Sequence, residues 1–156
     1  MAGKFSLRKF SDINLADHFF DSLKADYPGT DSSPGFVTWF NKKAGEGRTA
    51  LVFDDEEGLG AFISLKAEIE EIELQSGNLP VKQRTKISTL RIAERYRGQR
   101  LGEGAIGLVL WKWQQLGHEE IYVTVYPSHN DLIGQLEKFG FTFAGYNPNG
   151  ECVYMR

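Results

Sequence analysis

Arg97-Gly98-Gln99-Arg100-Leu101-Gly102-Glu103-Gly104 joins a strand-like stretch, Lys86 to Ile92, to a helical one, Leu101 to Leu116. Its glycines let the main chain turn tightly and approach a ligand with no Cβ in the way. The first turn of the following helix carries N–H groups without intrahelical partners, and the helix dipole favours an anion there. A pyrophosphate fits that setting, with Arg97 or Arg100 adding charge-assisted contacts. An ordinary strand-to-helix turn, whose glycines serve packing, fits the same residues. A P-loop is excluded because no Gly-Lys-Ser/Thr closes the stretch. A dinucleotide fingerprint is excluded because the glycine spacing differs and no N-terminal strand leads in.

Outward from this turn, the chain alternates strands and helices. Downstream, Ile121 to Tyr126 is a short β-branched run suited to a central strand, and Asp131 to Phe139 is helical and ends at Gly140. Phe141 to Tyr146 and Cys152 to Arg156 pair as a hairpin around Asn147-Pro148-Asn149-Gly150. Upstream, Thr49–Phe53 and Ala61–Leu65 flank an acidic turn, Asp54 to Gly58, and read as another hairpin. Ile69, Ile72 and Leu74, between Glu68 and Pro80, suit a strand or a short helix. Nearer the N-terminus, Phe5 to Phe10 is a first strand. Ile13, Leu15, Ala16, Phe19, Phe20 and Leu23 fall at helical spacing, and Phe36 to Lys43 makes a second helix. The pattern predicts an α/β (α+β) fold with a mixed, mostly antiparallel sheet and helices on its faces.

With 156 residues, 41% of them hydrophobic, one domain over residues 1–156 is expected, large enough to bury a core without disulfides or metal. The net charge of −3 argues against a general nucleic-acid binder. Cys152 has no internal partner, and His18, His118 and His129 lie too far apart to mark a metal site, so no metal is expected. The segment from Met1 to Phe10 lacks the apolar core of a signal peptide. The longest weakly charged run, Gly104 to Trp111, is too short to span a bilayer. A cytoplasmic protein without membrane association is the expectation.

Gln99-Arg100-Leu101-Gly102-Glu103-Gly104 resembles the Gln/Arg-x-x-Gly-x-Gly/Ala signature of the GNAT N-acetyltransferase superfamily. Leu90-Arg91-Ile92 on the preceding strand agrees, and Leu136-Glu137-Lys138-Phe139-Gly140-Phe141 is similar to that family's penultimate helix running into a Gly-Phe strand start. The resemblance extends from about Lys86 to Tyr146. It implies transfer of an acetyl group from acetyl-CoA to a primary amine of a small molecule or a protein, by direct attack. It implies that the backbone amides of Gln99, Arg100, Leu101, Gly102, Glu103 and Gly104 hold the CoA pyrophosphate, with Arg97 beside them. Leu90 and Ile92 would then lie on the strand that pairs with the pantetheine arm and splays from Ile121–Tyr126. Dimers are common among similar proteins, so a homodimer is one expectation.

Two positions depart from the family pattern. Leu136 stands where many members carry a tyrosine that protonates the leaving thiolate. His129 occupies a position often held by a CoA-contacting asparagine, with Asn130 one residue on. Tyr126 and His129 are the candidate substitutes for the acid. Among Glu68, Glu70, Glu71 and Glu73, one is expected to be the base or several to attract a cationic acceptor, and Glu71 is the selected candidate. Readings from other classes are a catalytically silent acyl-CoA-binding or regulatory module, a transferase acting on aminoacyl-tRNA, and an interaction domain without cofactor. The net charge hides a polarity: eight acids and one lysine lie between Asp54 and Glu73, and seven basic residues and one acid between Lys82 and Arg100.

Overall fold

The computed structural model describes residues 4–30, 34–96 and 100–156. Seven strands form a mixed sheet in hydrogen-bonded order β1-β2-β3-β4-β5-β7-β6. They are β1 (Phe5–Lys9), β2 (Thr49–Asp55), β3 (Gly58–Ile72), β4 (Leu79–Ile92), β5 (Glu120–Val125), β6 (Thr142–Tyr146) and β7 (Cys152–Met155). The helices are α1 (Asp21–Asp26), α2 (Phe36–Gly45), α3 (Leu101–Leu116) and α4 (Asn130–Lys138). The α/β class read from the sequence is the class found. By compactness the chain divides into two units, 1–62 with 91–95 and 63–90 with 96–156, so that β3 and β4 each contribute residues to both.

The first unit is held by aromatic packing. Phe10, Phe20, Phe36, Phe40 and Phe62 are all buried, with Phe10 and Phe40 ring centroids 4.9 Å apart and Phe20 and Phe62 5.4 Å apart. Trp39 packs edge-on to Phe10 at 5.6 Å and belongs to this core. The helical spacing from Ile13 to Leu23 does not produce one helix. It yields 3-10 turns at Phe10–Asp12 and His18–Phe20, followed by the six-residue α1. Short polar side chains compete for the backbone there: Asn14 accepts from the Ala16 N–H at 3.0 Å and Asp17 from the Phe19 N–H at 2.9 Å. Arg91 anchors α1 through Asp26 at 3.0 Å and Ser22 at 2.8 Å.

The second unit positions the candidate site. β4 and β5 pair in parallel from Arg84↔Glu120 to Ile87↔Val123, and β5 pairs antiparallel with β7. The paired register of β4 and β5 ends there, although β4 continues to Ile92 and β5 to Val125, which agrees with the expected splay. α3 buries Ala105, Ile106, Val109 and Leu110 and ends at Gly117, whose φ of 71° is the left-handed conformation of a helix C-cap. The ambiguous Glu68–Pro80 segment resolves into long strands, because β3 continues to Ile72 and β4 begins at Leu79. Ile72, Leu74, Tyr122 and Val153 form a second small core that gives the hairpin tip its anchor. Arg84 is 2% exposed, bound to Glu120 at 2.8 Å and to the Glu70 carbonyl at 3.1 Å, so the start of the parallel pair is locked by an ion pair whose arginine is buried and whose carboxylate is half-buried.

Candidate active site

The described part of the glycine turn begins at Arg100, the N-cap of α3. Arg100 is exposed and gives no side-chain bond to the helix end. By helical geometry, the N–H groups of Leu101, Gly102 and Glu103 have no intrahelical acceptor. The N–H of Gly104, expected among the free donors, is instead spent on the Arg100 carbonyl at 2.9 Å. The two helix glycines differ in kind. A Cβ on Gly102 would come within 2.5 Å of Gln135 Oε1 on α4, so Gly102 permits close helix packing. A Cβ on Gly104 would meet nothing within 4 Å among the described residues, and Gly104 is exposed. Gly104 therefore leaves open space beside the helix end. Arg97 and Gln99 lie outside the described residues.

Glu103, also in this first turn, is held by Lys138 at 2.9 Å, and that hydrogen bond and charge keep its carboxyl below the usual carboxylate range. Its negative charge is thus partly neutralised where an anion is expected. Leu90 is buried on β4 beyond the last paired residue, and Ile92 is half-buried at the strand's end.

Tyr126 follows β5 directly and is half-buried. A turn brings His129 back to it: the His129 N–H donates to the Tyr126 carbonyl at 3.0 Å, and the two rings lie 6.4 Å apart. His129 is the N-cap residue of α4, and Asn130, its first residue, is exposed. Leu136 is fully buried in α4, so neither its chemistry nor its place serves proton transfer. Burial raises the Cys152 thiol above its ordinary value, so it is a protonated, enclosed group.

Glu71 is not brought to these residues. It is exposed at the hairpin tip and accepts from Asn78 Nδ2 at 3.0 Å. Asn78 precedes β4, whereas Tyr126 follows the end of β5 that runs parallel to it. Leu79 to Ile87 alone spans roughly 26 Å at about 3.3 Å per residue. Glu71 and Tyr126, both candidates for the proton steps, therefore lie far apart along the sheet. The sequence reading considered Glu68 but did not select it, and it did not single out Tyr122. Tyr122 donates a hydrogen bond from its hydroxyl to Glu68 Oε1, and Lys66 Nζ lies 3.1 Å from Glu68 Oε2. Lys86, opposite Tyr122 in register, places its ammonium 5.9 Å from the Tyr122 ring centroid. Burial alone would raise the Glu68 carboxyl. The bonds from Tyr122 and Lys66 and the charges of Lys86 and Lys66 outweigh it and hold the group below its ordinary value. Burial, with the Glu68 bond and charge, pushes the Tyr122 phenol far above its own. Glu68 is thus an anion and Tyr122 a neutral donor. Among the described residues no group of three or more His, Cys, Asp or Glu is placed to hold a metal, and no helix is long and apolar enough to cross a membrane.

Residues 16–141 match the acetyltransferase (GNAT) family model, and the chain belongs to that family. Its fold is similar to an N-acetyltransferase from Staphylococcus aureus Mu50, at 14% identity with 100% of this chain and 98% of that chain covered and a TM-score of 0.66. It is also similar to Arabidopsis thaliana Naa50 in complex with the bisubstrate analogue CoA-Ac-MVNAL, at 20% identity, 97% coverage of both chains and a TM-score of 0.58. A third similar structure is the PaiA N-acetyltransferase of Thermoplasma acidophilum in complex with coenzyme A, at 12% identity, 100% and 99% coverage and a TM-score of 0.64. Among curated proteins none matches the sequence.

Proposed function

We propose that this chain is an N-acetyltransferase that moves the acetyl group of acetyl-CoA to a primary amine by direct attack. The observation that carries the reading is the first turn of α3, open and without a side-chain cap among the described residues, in the same compact unit as a parallel strand pair whose register ends at Ile87↔Val123. Acetyl-CoA fits the residues present, because an anion is favoured at those N–H groups and Gly104 leaves room for it. When bound, it supplies an acetyl group activated as a thioester.

In this reading the N–H groups of Leu101, Gly102 and Glu103 hold the pyrophosphate and the Arg100 guanidinium adds charge. Gly104 contributes space rather than a donor. The family signature implies a share for Arg97 and Gln99, which lie outside the described residues. The β4 main chain around Leu90 lies along the pantetheine arm, and Asn130 reaches the cofactor from the start of α4. Tyr126 gives its phenolic proton to the leaving thiolate, and His129, one turn away, returns it. The resemblance of the fold to CoA-bound enzymes supports these assignments, and so does the placement of Tyr126 directly after the splayed strand.

The test begins with a thermal-shift measurement, because acetyl-CoA that binds the folded chain must raise its melting temperature. CoA release is then followed with spermidine, a lysine peptide and a peptide beginning Met-Val-Asn-Ala-Leu. A folded protein with no acetyl-CoA shift sinks the proposal. A second reading, a silent acyl-CoA binder, is favoured by one observation, the fully buried Leu136 at the usual acid position. It predicts the shift without CoA release.

A further inference from the structure

The Glu68 cluster stands apart from the cofactor loop, and its position bears on the acceptor. Tyr122 is the residue before Val123, where the register of β4 and β5 ends, so the backbone that carries the ring bound to Glu68 lies one strand step before the split. Tyr122, Thr124 and Tyr126 alternate onto one side of the chain, and exposure grows along them from 5% at Tyr122 to half-buried at Tyr126. A buried carboxylate must be compensated by charge or hydrogen bonds. Here Oε1 takes the Tyr122 hydroxyl and Oε2 takes the Lys66 ammonium at 3.1 Å. The Glu68 side chain is 4% exposed, whereas that of Lys66 is 44% exposed, so Lys66 is the wet, flexible side of an otherwise enclosed pair. Its primary ammonium on a long stem has the chemistry of the acceptor that the proposed reaction needs.

We infer that Glu68 is the acceptor-binding carboxylate, and that a substrate's primary ammonium takes the place of Lys66 Nζ on Glu68 Oε2. This inference rests on the N-acetyltransferase reading. It assigns the acceptor to the class of amines that are cationic in solution, and it makes Lys66 an internal competitor. Tyr122 holds the carboxylate in orientation from the other oxygen, and Lys86 beside the ring limits the site to one added cation. For reaction, the bound ammonium sheds one proton to water on the side Lys66 vacates. The amine nitrogen then bonds to the acetyl carbon, the carbon–sulfur bond breaks, the thiolate takes the Tyr126 proton, and the second proton leaves the nitrogen through water to restore the Tyr126 phenol. Glu68 is too weakly basic to keep the first proton; it orients the cation.

The two partners of one ion pair then have opposite effects, which a structural salt bridge would not produce. The full-length protein, Glu68→Gln and Lys66→Met are assayed for CoA release with spermidine and with p-anisidine, an amine uncharged at neutral pH. For spermidine, Glu68→Gln should raise KM about tenfold and Lys66→Met should lower it severalfold. KM for acetyl-CoA should stay unchanged, and p-anisidine, which brings no cation, should be a poor substrate of the wild type and of both variants. Lys66→Met leaves the buried carboxylate and phenol in place, so it carries the test even if Glu68→Gln fails to fold. KM moving in the same direction in both variants, or Lys66→Met leaving the spermidine KM unchanged, overturns the inference while the transferase reading stands. Wild-type protein that binds acetyl-CoA but releases no CoA with any amine overturns both.

Discussion

The first turn of α3 and the Glu68 cluster are two polar sites in one compact unit, built on opposite plans. At α3 the described residues leave backbone donors unspent: three N–H groups without helical acceptors, an N-cap without a side-chain bond, and open space at Gly104. At Glu68 the carboxylate is matched inside the protein, with both oxygens bound and a second ammonium, that of Lys86, 5.9 Å from the Tyr122 ring centroid. The first plan suits a ligand that brings its own charge, because backbone dipoles cost nothing to keep in water. The second suits exchange, because a buried anion without a cation is costly and must always hold one. A cofactor pyrophosphate adds to the first site, whereas an acceptor ammonium has to replace something at the second.

The most damaging way to break this contrast is to put a fixed anion into the open site. Gly104→Glu adds a side chain where none of the described residues stands within 4 Å, so the helix should fold normally. Affinity for acetyl-CoA should fall about 100-fold or more, equivalent to about 2.7 kcal/mol. Calorimetric titration measures it, with the melting temperature of the free protein as the control. Gly102→Glu is the poorer choice because its Cβ would already press on Gln135. Undiminished affinity in Gly104→Glu would remove the pyrophosphate from this turn.

Next in size is the proton step. Tyr126→Phe keeps the ring and removes the donor, and kcat should drop by about 100-fold, the low end of the range for general acids. KM for acetyl-CoA should hold. An equal kcat in the variant would mean that the thiolate leaves without help from Tyr126.

The difference in plan also explains what the sequence made legible. Open backbone sites are written in glycines, and the spacing of Gly102 and Gly104 ahead of Ala105–Leu110 located the start of α3 and the anion-favouring turn. Strand β5 was legible as a β-branched run, and β6 and β7 as a hairpin around Asn147–Gly150. The Glu68 site was not, because alternation along β3 tells which carboxylates share a face and nothing about depth. Glu71 and Glu68 look alike in sequence, yet one caps the hairpin turn through Asn78 and the other meets a tyrosine more than fifty residues away. The length of β3 and β4 was hidden for the same reason. Ile72 and Leu74 are held by Tyr122 and Val153, a contact that no local pattern announces. Near the N-terminus, helical spacing was present but Asn14 and Asp17 captured the backbone first.

The satisfied site is tested through acid. The folded-state value of Glu68 is depressed, so its contribution to stability is full above the ordinary carboxylate value and disappears as pH falls through the folded value. Tyr122→Phe removes the donor on Oε1 and leaves the burial, which should raise the Glu68 value. Stability at neutral pH should fall by about 2 kcal/mol, the worth of a hydrogen bond to a charged group. Acid unfolding should also begin at higher pH than in the wild type. Denaturant titrations at pH 7 and pH 4 read both effects. A variant whose loss is the same at the two pH values would show that the hydroxyl does not act through the Glu68 charge.

The smallest effect lies where the two plans meet, at Glu103. It is an acid in the first turn of α3, favourable to the helix dipole but unfavourable to a bound pyrophosphate, and Lys138 offsets it from α4. Both side chains are well exposed, so the pair adds little to folding, and Lys138→Met should leave the melting temperature nearly unchanged. Cofactor affinity is more sensitive, since the released carboxylate then faces the pyrophosphate without its cation. Lys138→Met should weaken acetyl-CoA binding about threefold and Glu103→Gln should strengthen it slightly, with both differences shrinking as salt screens the charges. If the two substitutions shift affinity in the same direction, or salt leaves their effects unchanged, the anion does not bind beside Glu103. The open space at Gly104 would then have to serve some other ligand.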